Sequence, residues 1–427
     1  MIGWIYDLGF LAFGIFSLPH FLKRLEQAED PKRLVRERFG ILSKESLFNC
    51  PAGRTIWIHC VSVGEVMAAE RFVRLLLERK PHQRIVVTTV TPTGQRIARQ
   101  WEQTRLKVFY FPFDVGFAVR SFFNKIRPAL LLLVETELWP NVIAEACRRK
   151  VPIGVINGRL SERSFRGFNR FGAIFKPLLR GIDFFLVQTD EDRNRLLALG
   201  VNSQKVQVTG NMKLDAFEGN GQWENDRRTF RPQWGFHPSD WVLIGGSTHA
   251  GEEEILLQVL RELRGEGFSL KLLLAPRHIE RTAKIVDLVK RHGFKPALAS
   301  ASEQDPSFDV LILDRLGELR RLYAMADAVF MGGSLVRHGG QNPIEPAACC
   351  RPILHGPWVF NFQDLYRRLD EEGGSVRVTD GKELVFILKR ILANDRERNQ
   401  LGTRAYETLH QLQGATERNL KWIEGKL

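Results

Sequence analysis

Short apolar runs alternate with segments of helical apolar spacing along most of this chain, and they do so in two separate series. In the first, residues 55–61, 85–90, 106–111, 129–134, 153–156, 184–187 and 206–208 read as strands. Helical patterns lie between them, as at 66–80, 93–102, 115–125 and 140–149. Regular alternation of this kind implies a parallel sheet covered by helices on both faces. Around 218–240 glycine, asparagine, charge, Pro232 and Pro238 replace the apolar rhythm, as in a linker. A second series follows, with strands at 241–245, 270–274, 310–313 and 328–331 and helices at 252–264, 279–291, 316–325 and 343–350. Residues 382–427 look helical throughout, with a break near Asn394-Asp395. The expected architecture is α/β. It has two Rossmann-like, doubly wound domains (23–217 and 241–427, the last helices packing back) that face each other across a cleft. Ligands would sit at the strand ends.

The length of 427 residues suits two such domains. A net charge of +13, from 62 basic and 49 acidic side chains, points to an anionic partner: nucleic acid, a phospholipid surface or a phosphorylated substrate. The charge is not gathered on a recognisable nucleic-acid module, so nucleic acid is not expected. Cys50, Cys60, Cys147, Cys349 and Cys350 follow no metal-ligand spacing and fit a reducing compartment. Residues 1–19 are almost wholly apolar, broken by Asp7, and are followed by His20, Lys23, Arg24, Lys32 and Arg33. A secretory signal would carry its positive charge first. The order here keeps the body of the protein on the cytoplasmic side. Residues 1–22 are therefore expected to form a membrane anchor helix, spanning the bilayer or lying in its interface, where Trp4 and Tyr6 would fit.

The first series places one acidic residue, Glu65 of Ser62-Val63-Gly64-Glu65, where a strand turns into a helix. A carboxylate at such a corner can act as a general base. A helix start lowers its pKa and burial raises it, so the balance is open. The second series carries several glycine- and proline-marked corners. In 245–253 small residues would let backbone amides approach an anion. Pro276 stiffens the corner that carries Arg277, whose forked donors suit phosphate. Leu316-Gly317-Glu318-Leu319 opens a further helix, where free amides could meet a base or phosphate. The most specific stretch is Gly332-Gly333-Ser334-Leu335-Val336 and then Gly339-Gly340-Gln341-Asn342-Pro343-Ile344-Glu345-Pro346-Ala347. There a glycine-rich loop opens a helix with Pro343 near its first turn and Glu345 inside that turn. This arrangement fits a nucleotide-sugar site in which Glu345 accepts the ribose hydroxyls.

Five motifs occur together and in order. They are Ser-Val-Gly-Glu at 62–65, Glu135-Thr136-Glu137-Leu138-Trp139-Pro140-Asn141, Gly210-Asn211-Met212-Lys213, Pro276-Arg277-His278 and Asn342-Pro343-Ile344-Glu345-Pro346. With them the chain closely resembles the transferases of 3-deoxy-D-manno-octulosonic acid (Kdo) in lipid A and lipopolysaccharide assembly. The resemblance runs from the apolar N-terminal segment to the final helices. It implies a GT-B glycosyltransferase on the cytoplasmic face of the inner membrane. Such an enzyme moves Kdo from CMP-Kdo to lipid IVA with inversion, and needs no cofactor and no essential metal. It implies Glu65 as the base, with Lys213 and Glu135 supporting the transition state and Glu137 a rival to Glu135, since residues two apart on a strand share a face. It also implies CMP contacts from Pro276 and Arg277, from Gly317, Glu318 and Leu319, and from Asn342, Pro343, Ile344 and Glu345.

Arg159, Arg163, Arg166, Arg170, Lys176 and Arg180, interleaved with Phe165, Phe168, Phe171 and Phe175, suit an amphipathic surface that docks on lipid. They suit equally a helix with its phenylalanines in the core. Two other functions compete. A different membrane-associated GT-B enzyme would share the Glu345 corner but not the 62–65 and 137–141 motifs. A basic membrane scaffold or nucleic-acid binder would leave the nucleotide corners incidental.

Overall fold

The computed structural model describes residue 6 and residues 18–43, 55–216, 223–301 and 307–425. The chain divides into two compact units, one of residues 1–216 with 413–427, the other of residues 217–412. The expected anchor over 1–22 lies outside the described residues, except for Tyr6 and the start of the helix Leu18–Gln27. The Tyr6 hydroxyl donates to the Asp114 carboxylate at 3.0 Å. Among the described residues no helix is long and apolar enough to cross a membrane.

Unit 1 is built on β1 (Thr55–Cys60), β2 (Arg84–Thr89), β3 (Leu106–Tyr110), β4 (Pro128–Val134), β5 (Ile153–Gly158), β6 (Phe184–Val187) and β7 (Val206–Val208). They form one sheet in the order β3-β2-β1-β4-β5-β6-β7, every pair parallel. Alternate residues of β1 feed opposite cores. Trp57 packs with Phe111, Phe122 and Phe123 on one face, and Ile56 and Ile58 with Phe72 and Leu76 on the other. This is why the strands read as continuous apolar runs rather than as an in–out alternation.

The helices of this unit that bear on function are α1 (Val63–Arg79), α2 (Pro140–Arg148), α3 (Glu162–Arg170) and α4 (Gly172–Arg180). The 159–180 segment is two short helices rather than one, broken where Phe171 leaves helical geometry. Phe165 and Phe168 pack against the core, Phe168 stacks on Phe175, and Phe171 and Ile174 stay more than half exposed. Phe165 and Phe168 thus serve the core, as a helix with its phenylalanines inside requires, while Phe171 and Ile174 face outward.

Unit 2 repeats the plan with β8 (Trp241–Thr248), β9 (Leu270–Pro276), β10 (Pro296–Leu298), β11 (Val310–Ile312), β12 (Ala328–Met331), β13 (Ile353–His355) and β14 (Ser375–Arg377), in the order β10-β11-β9-β8-β12-β13-β14, again all parallel. The strands β10, β13 and β14 had no counterpart in the sequence reading. Each is only three residues long.

The stretch expected as a linker also differs. Residues 218–222 lie outside the described residues, but Trp223–Gln233 forms a helix, α5, within unit 2. Its Arg231 is buried, donating to the Met325 carbonyl at 2.8 Å and to the Asp327 carboxylate at 2.6 Å. The charge that suggested a solvated connector is in part an internal ion pair. Among the other helices of the unit are α6 (Glu252–Gly265), α7 (Ile344–Ala348), α8 (Gly381–Ala393) and α9 (Asp395–Leu412).

Of the last helices, which were expected to pack back, residues 413–427 belong to unit 1, so unit 2 ends at residue 412 rather than 427. At Gly414 (φ 88°) the helical stretch breaks a second time. The Gly414 amide then donates to Asp215 at 2.7 Å, and Leu420 and Ile423 of α10 (Ala415–Glu424) enter the α1 side of the core.

Candidate active site

In unit 1 the connections of β1 and β4, neighbours in the sheet, leave in opposite directions, which opens a crevice at their carboxyl ends. The chain leaving β1 enters α1 through Ser62, whose hydroxyl caps the helix by accepting from the Glu65 amide at 3.4 Å. Glu65 closes the loop back: its carboxylate accepts from the Ser62 hydroxyl at 2.8 Å and the Val61 amide at 2.7 Å. These two bonds tie the first turn of α1 back to the end of β1 and fix the Glu65 side chain. Glu65 is only 5% exposed. Burial lifts its pKa from 4.5 to about 7, opposed by the Val61 and Ser62 hydrogen bonds and assisted by the charges of Glu135 and Glu137. Of the two opposing effects on this corner, desolvation wins.

Glu135 follows β4 in the left-handed region at φ 59°, a strained conformation for a non-glycine residue. Its carboxylate meets the Lys213 ammonium at 2.7 Å. Lys213 sits in the tight turn Met212–Ala216, which two asparagines hold in place. Asn211 accepts from the Lys213 amide at 2.9 Å, and buried Asn157 accepts from the Met212 amide at 2.9 Å. A Cβ on Gly64 would stand 3.9 Å from the Lys213 nitrogen, so the ammonium lies close over the first turn of α1. Glu135, Lys213 and the Glu65 corner therefore converge.

The strand-parity argument for Glu135 and Glu137 does not hold, because β4 ends at Val134 and Glu135 turns the chain. Glu135 is the one paired with Lys213, while burial and the Glu135 charge raise the Glu137 pKa. Asn157 was not foreseen; its left-handed φ of 52° in Ile156-Asn157-Gly158 is a conformation that asparagine tolerates. The rest of the 135–141 motif is scaffold. Pro140 opens α2, and the Asp114 carboxylate accepts from the Asn141 and Val142 amides at 3.2 and 3.0 Å.

In unit 2 the equivalent crevice lies between β8 and β12. The amides there do not all wait for an outside anion. The buried Glu252 carboxylate accepts from the amides of His249 (2.9 Å), Gly333 (2.7 Å), Ser334 (3.0 Å) and Leu335 (3.1 Å). This stitches the loop after β8 to the glycine-rich loop after β12. The two backbones run so close that a Cβ on Gly332 would fall 2.3 Å from the Ser247 carbonyl oxygen.

The expected nucleotide residues lie at the end of β9 and in the segments that follow β9, β11 and β12. Pro276 ends β9 buried. Arg277 is exposed and has no ion-pair partner among the described residues; only its amide is engaged, donating to the Thr248 carbonyl at 3.0 Å. Gly317 takes φ 88°, and Glu318 caps the short helix Leu319–Leu322, so the helix expected over 316–325 is shorter than its pattern. Asn342 accepts from the Ile344 amide at 3.2 Å, Pro343 caps α7, and burial raises the pKa of Glu345 in its first turn.

A sequence model of the family described as 3-deoxy-D-manno-octulosonic-acid transferase (kdotransferase) matches residues 33–216. The 3-deoxy-D-manno-octulosonic acid transferase of Haemophilus influenzae is 35% identical over 92% of this chain and 91% of that protein. This chain belongs to the 3-deoxy-D-manno-octulosonic acid transferase family. The transferase of the same description from Chlamydophila psittaci is 32% identical over 97% of this transferase and 94% of its own length. HepE of Anabaena, solved in complex with UDP, shares the fold at TM-score 0.60, with 12% identity over 87% of this chain and 99% of its own. The expected GT-B-like class, with one parallel α/β sheet in each unit, agrees with these findings.

Proposed function

We propose that this transferase moves Kdo from CMP-Kdo to lipid IVA in lipopolysaccharide assembly, with inversion at the anomeric carbon. The observation that carries the reading is Glu65: a carboxylate with a pKa of about 7, held by Ser62 and Val61 beside the Lys213–Glu135 pair. A base poised near the operating pH is the most effective one. In this reading Glu65 takes the proton of an acceptor hydroxyl. The oxygen attacks the donor's anomeric carbon from the face opposite the nucleotide, the bond to the phosphate breaks, and its electron pair leaves with CMP. The Lys213–Glu135 pair steadies the charge that develops. Arg277, unpaired among the described residues, takes the donor phosphate, the turn at Gly317, Glu318 and Leu319 meets the base, and Glu345 accepts from the ribose.

Exposed Phe171 and Ile174, flanked by Arg170, Lys176 and Arg180, support a unit 1 surface that rests on the cytoplasmic leaflet of the inner membrane. Mass spectrometry of the lipid after incubation with CMP-Kdo and lipid IVA tests the whole reading. A product heavier by one or more Kdo residues is expected. An unchanged lipid with wild-type enzyme would refute it.

A further inference from the structure

Three imidazoles crowd the carboxyl ends of β8, β9 and β12. His249 follows β8, His278 follows β9, and His338 lies in the loop between β12 and α7. The rings of His249 and His338 are stacked with centroids 4.2 Å apart and 13° between planes, and His278 stands edge-on to His249 at 6.0 Å. The Gln341 side-chain nitrogen is 3.2 Å from His249 Nε2, which leaves the Nδ1 side of that ring available. The stack rests on Gly333, at φ 69°. A Cβ there would lie 3.3 Å from both His249 and Gln341 and 3.4 Å from His338. Glu252 pins the Gly333 amide, so the floor beneath the rings is fixed as well.

The surrounding charges favour an anion. Arg277 adjoins His278, and Arg281 comes from the same corner. Against them stands Glu253, both of whose oxygens are already occupied by Arg281 at 2.9 and 3.0 Å. Glu252 is saturated by backbone amides. His278 and His338 are exposed and His249 is half-buried, so the cluster opens to solvent. Among the described residues no group of three or more His, Cys, Asp or Glu side chains is arranged to hold a metal ion.

We propose that the His249–His338 stack, with His278 at its edge, is a seat for an oxyanion of the donor, either its phosphate or the carboxylate of its sugar. If the carboxylate sits there, these residues select an acidic sugar over neutral ones. The inference rests on the reading of unit 2 as the CMP-Kdo site. In the empty enzyme, burial first, then His338, His278 and Arg281, hold the His249 pKa below its ordinary value, with Glu253 acting in the opposite sense. An anion on the seat reverses that balance, so binding takes up a proton.

The test uses the full-length protein with His249→Phe, which keeps a stacked ring without nitrogens, and His338→Ala at an exposed position. Titration calorimetry with CMP and with cytidine reads the phosphate, and the KM for CMP-Kdo reads the carboxylate. A loss of about tenfold or more is expected in one of them. Weakened CMP binding places the phosphate on the seat. Intact CMP binding with a raised KM for CMP-Kdo places the carboxylate there. Wild-type affinity for CMP-Kdo, whose phosphodiester keeps its charge over this range, should rise as the pH falls from 8 to 6, and the variants should lose that slope. Unchanged CMP affinity, KM and pH slope in both variants, with thermal unfolding showing them folded, would overturn the seat. Wild-type protein that neither binds CMP nor turns over CMP-Kdo would overturn the donor reading itself, and the seat with it.

Discussion

Replacing Glu65 by glutamine should make this enzyme inactive and, at alkaline pH, more stable. The pKa of Glu65 is lifted from 4.5 to about 7 on folding, chiefly by burial. Folding therefore takes up a proton between those two values, and wild-type stability falls as the pH rises through that window. At about 1.36 kcal/mol for each pKa unit, keeping the carboxylate ionised above pH 7 costs roughly 3 kcal/mol. Glutamine reproduces the neutral side chain and retains an oxygen for the Val61 amide. Denaturant unfolding at pH 5 should show the two proteins within about 1 kcal/mol. At pH 8 the variant should be ahead by roughly 3 kcal/mol. Turnover with CMP-Kdo should drop by about 10²–10⁴-fold, while wild-type turnover should rise through pH 7 to a plateau. A variant less stable than wild type at both pH values would show that Glu65 serves as a helix cap whose charge is not resisted by the fold. The reasoning from burial to base strength would then be wrong.

Three further changes test the remaining parts. Lys213→Ala should lower kcat/KM for CMP-Kdo by about 10²-fold or more, with Lys213→Arg recovering part of it, since the ammonium meets Glu135 at 2.7 Å; equal rates in wild type and Lys213→Ala would exclude the pair from the reaction. Arg277→Ala should weaken CMP binding about tenfold in calorimetry without moving the Tm, because only its backbone is tied to the scaffold. Glu252→Gln sets an amide against four backbone donors, so it should destabilise unit 2 by about 3 kcal/mol or more in thermal unfolding and lower CMP affinity with it. A wild-type Tm would show that the seam between the two loops does not depend on that carboxylate.

Much of the candidate site was readable from short-range pattern. Ser62 and Glu65 stand three apart at the end of an apolar run, and that spacing alone yields a strand, a cap and an acidic side chain at the crevice. Pro343 and Glu345 announce the start of α7 for the same local reason. What escaped depends on distance along the chain. The resemblance had grouped Lys213 with Glu135, but their direct contact joins residues 78 apart, and the Glu252 carboxylate gathers amides from a loop some 80 residues away. The histidine cluster draws on three separate strand ends, and nothing around residues 249, 278 or 338 individually marks them as neighbours.

The linear order of residues, then, was enough to set two parallel α/β sheets and the corners where chemistry could occur. Both follow from periodicity and from backbone preferences that act over a few residues. The strength of the Glu65 base, the choice between Glu135 and Glu137 as partner of Lys213, the anchoring of α5 by Arg231 and the point, after Leu412, at which the chain leaves unit 2 were left to three-dimensional packing. Each of these depends on which groups lose water and which charges come together when distant segments meet, and no local spacing encodes that.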